Sequence, residues 1–114
     1  MNTEVVYEGD SIIVCPDVDN LDAYAASEFK SEVNALVGNV HGHVILDMRN
    51  ITFVDSAGLG AILSVMRLVR GREKRFVICH MTPPVRSLFE LVRIHKVMDI
   101  CISREEALRL ISGT

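Results

Sequence analysis

Tryptophan is missing from this 114-residue chain, and aromatic residues make up only 5% of it. That scarcity leaves no stacking platform for bases or sugars and predicts a core of aliphatic side chains. A basic excess is also lacking. Twelve Lys and Arg stand against fifteen Asp and Glu, giving a formal charge of −3 and a pI near 5.7, which argues against direct nucleic-acid binding. No apolar run is long enough to insert across a membrane, since Asp55 and Arg67 break the best candidate. The N-terminal Met-Asn-Thr-Glu-Val-Val-Tyr-Glu lacks the basic-then-apolar order of a secretory signal. Three cysteines, Cys15, Cys79 and Cys101, form an odd set without Cys-x-x-Cys spacing, each inside an apolar run. They read as reduced core residues of a cytoplasmic protein. Repeats, linkers and low-complexity stretches are missing too. Residues 1–114 therefore read as one domain, long enough to bury a core without metals or cross-links.

What is present is an alternation of short β-prone runs and amphipathic stretches. Glu4–Tyr7 and Ser11–Cys15 flank a hairpin turn at Glu8-Gly9-Asp10. Asp19-Asn20-Leu21-Asp22 offers capping side chains ahead of a helix that carries Ala25, Phe29, Val33, Leu36 and Val37 on one face and ends at Gly38. His43–Asp47 suits a buried strand. A second helix puts Leu59, Ile62, Leu63, Met66 and Val69 at core spacing and stops near Gly71. Arg75–Cys79 is the next strand; Thr82 then caps a helix with proline at its first position and Val85, Leu88, Phe89 and Val92 as its apolar stripe. Met98–Ile102 is a last strand, and Ser103-x-x-Glu106 is a capping box for a C-terminal helix. The order ββαβαβαβα predicts an α/β fold, a mixed and mostly parallel sheet packed with helices. Sites in such sheets form where strand ends meet helix starts, which singles out Asp55-Ser56 and the Pro16–Asp22 loop.

The stretch Ile51-Thr-Phe-Val-Asp-Ser-Ala-Gly-Leu-Gly60 is the most unusual. Gly58 and Gly60 weaken the helix they open by about 1 kcal/mol each relative to alanine, so something must approach the backbone closely: a packed neighbour, a phosphate or another protein. The Ser56 hydroxyl, at the same helix start, faces solvent. Catalysis by Ser56 fails on pattern, because a nucleophile elbow needs glycine where Val54 stands and none of His41, His43, His80 and His95 has partner spacing. On physics alone, Ser56 reads as a helix cap. His41-Gly42-His43 lacks a third ligand and reads as a polar strand start. Asp17, Asp19 and Asp22 fit a calcium loop poorly, with Leu21 in a ligand position, and read as capping and solvated acids. Gly58-Leu-Gly60 matches neither a dinucleotide fingerprint nor a P-loop. The basic run Arg67, Arg70, Arg72, Lys74 and Arg75 complements a helix C-terminus. No catalytic residue, metal site or cofactor is expected.

Asp55-Ser56-Ala57-Gly58-Leu59-Gly60, preceded by Asp47-Met-Arg-Asn-Ile51-x-Phe53, resembles the signature of the STAS domain family, and within it the bacterial anti-sigma factor antagonists. Supporting matches are Pro16-Asp17-Val18-Asp19, Pro83-Pro84-Val85, Lys96-Val97 and Ser103-x-Glu105-Glu106-Ala107-Leu108. The resemblance implies a non-catalytic STAS-like binding module for residues 1–114. Its unphosphorylated form would bind an anti-sigma factor with serine kinase activity and free the sigma factor. Phosphorylation at Ser56 would block binding, and a PP2C-type phosphatase would reverse it. It also implies a partner surface of Asp19, Asp55, Ser56, Ala57, Gly58, Leu59 and Gly60. A monomer is the default reading of the free protein. The alternative is a non-phosphorylated docking subunit of a lipid-transport ATPase complex or a stress-sensing assembly. A small enzyme or nucleotide-binding protein on the same scaffold carries least weight. The chain departs from the family pattern at Ala57, where a second serine is common, at Pro16, where glycine is usual, and at Arg93, where a helix-ending glycine is frequent.

Overall fold

Each apolar run becomes a strand and each amphipathic stretch a helix. The structure is a computed structural model and describes residues 1–113. In chain order the elements are β1 (Asn2–Glu8), β2 (Ser11–Asp17), β3 (Asn20–Leu21), α1 (Ala23–Gly38), β4 (Val44–Asp47), β5 (Phe53–Val54), α2 (Ser56–Gly71), β6 (Phe76–Cys79), α3 (Pro83–Leu91), β7 (Asp99–Cys101) and α4 (Arg104–Ser112), with a 3-10 turn over Ile94–Lys96 before β7. The mixed, mostly parallel sheet expected from the sequence is present in the order β1-β2-β4-β6-β7. Only β1 runs antiparallel, paired with β2 through a turn that needs Gly9 at φ +60°.

The parallel strands progress in one direction, so right-handed crossovers lay α1, α2 and α3 on one face of the sheet. That face buries Ile12, Val14, Leu46 and Ile78 against Phe29, Ile62, Val65 and Phe89. The opposite face, with Ile13, Ile45 and Val77, is covered by α4 through Ala107. The core is aliphatic around three fully buried phenylalanines, Phe29, Phe76 and Phe89.

The structure adds to or departs from the sequence reading in several places. β3 and β5 were not foreseen; they form a separate two-stranded parallel ladder above the main sheet, with Asn20 opposite Phe53 and Leu21 opposite Val54. Thr82 holds the N-cap position of α3, yet its hydroxyl donates to the Ile51 carbonyl at 2.7 Å instead of capping. Val92 is outside α3 and 45% exposed. Arg93, where glycine is frequent in the family, adopts φ +63°, the left-handed conformation glycine tolerates best. The Ser103 hydroxyl does accept the Glu106 amide at 3.1 Å, while the Glu106 carboxylate reaches back one residue further, to the Ile102 amide at 3.2 Å.

Candidate functional site

β2 and β4 end at the same rim, and the loops leaving them are zipped together there. The Asp19 carbonyl accepts the amides of Thr52 and Phe53 at 2.8 and 3.1 Å, and the Leu21 carbonyl accepts the Asp55 amide at 3.3 Å. The Asp19 side chain is exposed beside this junction. Helix α2 begins immediately after it, and Asp55 is the residue that caps it. One Asp55 carboxylate oxygen accepts the Gly58 amide at 2.9 Å, and the other accepts the Ala23 amide at the start of α1, also at 2.9 Å. A single side chain thus ties two helix starts together. Asp22 independently caps α1 through the amides of Tyr24 and Ala25.

This corrects the reading of Ser56 as a helix cap. With Asp55 in that role, Ser56 becomes the first residue of α2, exposed. The amides of Ser56 and Ala57 point out of the helix end, where the dipole favours an anion. Ala57 and Gly60 are exposed and, with Ser27 and Lys30, line a shallow groove between α1 and α2. Leu59 is half-buried against the core.

The two glycines separate sharply. A Cβ on Gly58 would sit 1.9 Å from the Leu21 carbonyl oxygen, so the close neighbour of Gly58 is the chain's own β3. A Cβ on Gly60 would meet nothing within 4 Å.

The rim is anchored from below by a residue the sequence reading left without a role. Asp47 is fully buried at the end of β4. Its carboxylate accepts from the Arg49 guanidinium at 2.7 and 3.0 Å, the Arg49 amide at 3.0 Å and the Arg104 guanidinium at 2.7 Å. Arg104, at the start of α4, also pairs with Glu4 on β1. Burial by itself would raise the Asp47 pKa; the hydrogen bonds from Arg49 and Arg104 outweigh it and hold the carboxyl below its ordinary 3.8. Ligand atoms of Asp47, Cys79 and His80 lie within 4.8 Å of one another. Two guanidiniums already on the Asp47 carboxylate oppose a further cation there.

The remaining candidates resolve in structural terms. His43 Nδ1 accepts the Arg75 amide at 2.9 Å, so one nitrogen of the His41/His43 pair is committed to a strand start. Burial, followed by the positive charges of Lys74 and Arg75, lowers the His43 pKa. Cys15, Cys79 and Cys101 are free and buried, as expected. Burial pushes the Cys79 thiol up to about 12 and the Cys101 thiol to about 11. In the basic run, Arg72 donates to the Val37 carbonyl at 2.8 Å, closing the end of α1, and Arg70 donates to the Val97 carbonyl. No helix among the described residues is long and apolar enough to cross a membrane.

The family model of the STAS domain matches residues 5–107. An anti-sigma F factor antagonist of Paenibacillus polymyxa is 33% identical over 66 residues, which cover 58% of this chain and only 56% of that relative. BtrV of Bordetella bronchiseptica is 30% identical over 82 residues, 72% of this chain and 71% of the relative. The anti-sigma factor antagonist SpoIIAA in its unphosphorylated form superposes with a TM-score of 0.78 at 20% identity, covering 99% of this chain and 98% of that one. The phosphorylated form from Bacillus gives 0.69 at 19% identity, over 96% and 99%.

Proposed function

This chain belongs to the STAS domain family, and from that premise we propose that it is an anti-sigma factor antagonist switched by phosphorylation of Ser56. The unphosphorylated form binds an anti-sigma factor with serine kinase activity, which then releases its sigma factor. The same kinase transfers phosphate from ATP to the Ser56 hydroxyl, and a PP2C-type phosphatase removes it. The cycle runs in the cytoplasm, the free protein is a monomer, and the chain acts as one binding module rather than as an enzyme.

The observation that carries this reading is the division of labour at the start of α2. Asp55 does the capping, which leaves the Ser56 hydroxyl exposed and free to accept a phosphoryl group. Support comes from the antagonists among its relatives and from a structural neighbour that exists in unphosphorylated and phosphorylated forms. The partner surface is formed by Asp19, Asp55, Ser56, Ala57, Leu59 and Gly60, with Gly58 keeping the loop beneath them in place.

A phosphate on Ser56 adds about −1.5 to −2 charges at pH 7. The domain tolerates it, because the helix end favours an anion. The complex does not, because docking strips water from the phosphate beside this chain's own carboxylates and leaves their repulsion less screened. Two like charges about 4 Å apart repel by about 4 kcal/mol at the dielectric of a protein surface, and about 1.4 kcal/mol is already tenfold in affinity. Asp55 is the nearest such charge and Asp19 lies on the adjoining loop.

A pull-down from the native cytosol with Ser56→Ala and Ser56→Asp as baits tests this. An ATP-binding anti-sigma kinase held by the alanine form and lost from the aspartate form is expected. The same partner on both baits, or a transporter subunit on either, would show a plain docking module instead.

A further inference from the structure

The chain has four phenylalanines and two tyrosines. Three phenylalanines are fully buried, while Tyr7, Tyr24 and Phe53 are 63%, 97% and 51% exposed. Two of those three exposed residues neighbour the start of α2, Phe53 along the chain and Tyr24 through the Ala23–Asp55 hydrogen bond. Phe53 stands on β5 just before Val54, which takes the buried position and leaves Phe53 on the outer side. Tyr24 follows Ala23, whose amide donates to the same Asp55 carboxylate that caps α2. The residue preceding Ser56 therefore has an exposed aromatic residue close to it along β5 and another across the hydrogen bond to α1.

Folding does not account for Tyr24. It is almost wholly in solvent, and its ring and hydroxyl contribute no contact that holds α1. Alanine would be the better helix former at that position. Aromatic rings held at the surface on rigid elements are, by contrast, the side chains that dominate protein interfaces. Outside the two rings the rim carries Asp17 and Asp19, exposed at the end of β2, while the half-exposed Arg49 after β4 is neutralised by its pair with the buried Asp47. Among the described residues, Lys30 is the one basic side chain lining the adjoining groove.

We infer that Tyr24 and Phe53 are the anchors of a docking face centred on Ser56, occupied by a protein partner that offers two apolar sockets inside a basic rim. The inference rests on the antagonist reading and deepens it. With a ring seated on each side, Ser56 lies at the dry centre of the interface, where water is excluded. The charged rim speeds encounter, and the centre decides affinity. A phosphate on Ser56 is then rejected because it loses its hydration, and added salt does not relieve that loss, since buried charges are weakly screened.

The test titrates the kinase retained by the Ser56→Ala bait, once purified, with wild type and three single variants. Tyr24→Ala and Phe53→Ala should each weaken binding by roughly 30-fold, the effect of truncating an interface anchor. Tyr7→Ala should bind as wild type does, because Tyr7 pairs with Ile12 at the opposite end of β2. Ser56→Asp should bind as poorly at high ionic strength as at low. Tyr24→Ala removes a solvent-exposed ring and leaves the fold intact, so its result does not depend on how β5 responds to loss of Phe53. Wild-type affinity in both aromatic variants, or recovery of Ser56→Asp binding at high salt, would overturn the docking face and leave the switch standing. A Ser56→Ala bait that retains no ATP-binding partner would remove the antagonist reading itself, and the docking face with it.

Discussion

Replacing each of the two glycines of α2 by alanine should move stability in opposite directions. Alanine gains about 1 kcal/mol over glycine inside a helix. At Gly60 the new methyl meets open space, and the backbone is not in a left-handed conformation, so most of that gain is kept. At Gly58 the methyl would lie 1.9 Å from the Leu21 carbonyl oxygen and 2.8 Å from its carbon. These are backbone atoms held in place by the Leu21–Val54 pairing and the Asp55 amide, and they cannot swing aside as a side-chain tip can. Overpacking of this kind costs about 3 kcal/mol at its upper range, leaving a net loss of about 2 kcal/mol. With roughly 3–6 °C per kcal/mol for a chain of this size, Gly58→Ala should lower Tm by about 6–12 °C and Gly60→Ala should raise it by a few degrees. Thermal unfolding followed by circular dichroism reads both. Shifts of the same sign and similar size would refute the division between a glycine serving β3 and a glycine facing solvent. A bulky residue at Gly60 should keep the fold and lose the partner, since it fills the groove beside Ala57.

Two further outcomes follow from the buried groups. Asp47→Ala should cost about 3 kcal/mol, the low end for breaking a buried ion pair, because Arg49 is half-exposed and Arg104 keeps Glu4; urea titration measures it. Because folding lowers the Asp47 pKa, the unfolded chain takes up the proton first. The stability this carboxylate supplies is therefore present above 3.8 and lost as pH falls below it, and acid unfolding should be steeper in wild type than in Asp47→Asn. Cys79 and Cys101, buried with thiols raised to about 12 and 11, should resist iodoacetamide at neutral pH in the folded protein and react fully in denaturant. Rapid labelling of the folded chain, read by mass spectrometry, would contradict their burial.

The main sheet and four helices were legible because each strand is a compact apolar run and each helix carries its stripe at helical spacing. What escaped was decided by contacts far apart in sequence. β3 and β5 are two residues each, too short to show any period, and exist because the Asp19–Leu21 carbonyls meet the amides of Thr52–Asp55. Asp55 and Ser56 are both good capping residues by type, and only the Ala23 amide, 32 residues away from Asp55, shows how that carboxylate is held. Asp47 entered the sequence reading only as the last residue of a buried strand and as part of the family signature; its role depends on Arg104, 57 residues on. Thr82 was placed correctly but bonds across the loop to Ile51. Arg93 was legible only through comparison with the family, and its positive φ gives the physical reason why glycine is frequent there.

The proposed switch turns on transfer of a phosphoryl group to the Ser56 hydroxyl. The direct measurement is to incubate the wild-type chain with the retained kinase and ATP and to locate the added phosphate by fragmentation mass spectrometry. Stoichiometric modification at Ser56, abolished in Ser56→Ala and accompanied by release of the kinase, is the predicted result. Phosphate at another residue, or a kinase that stays bound to chain phosphorylated on Ser56, would contradict the account.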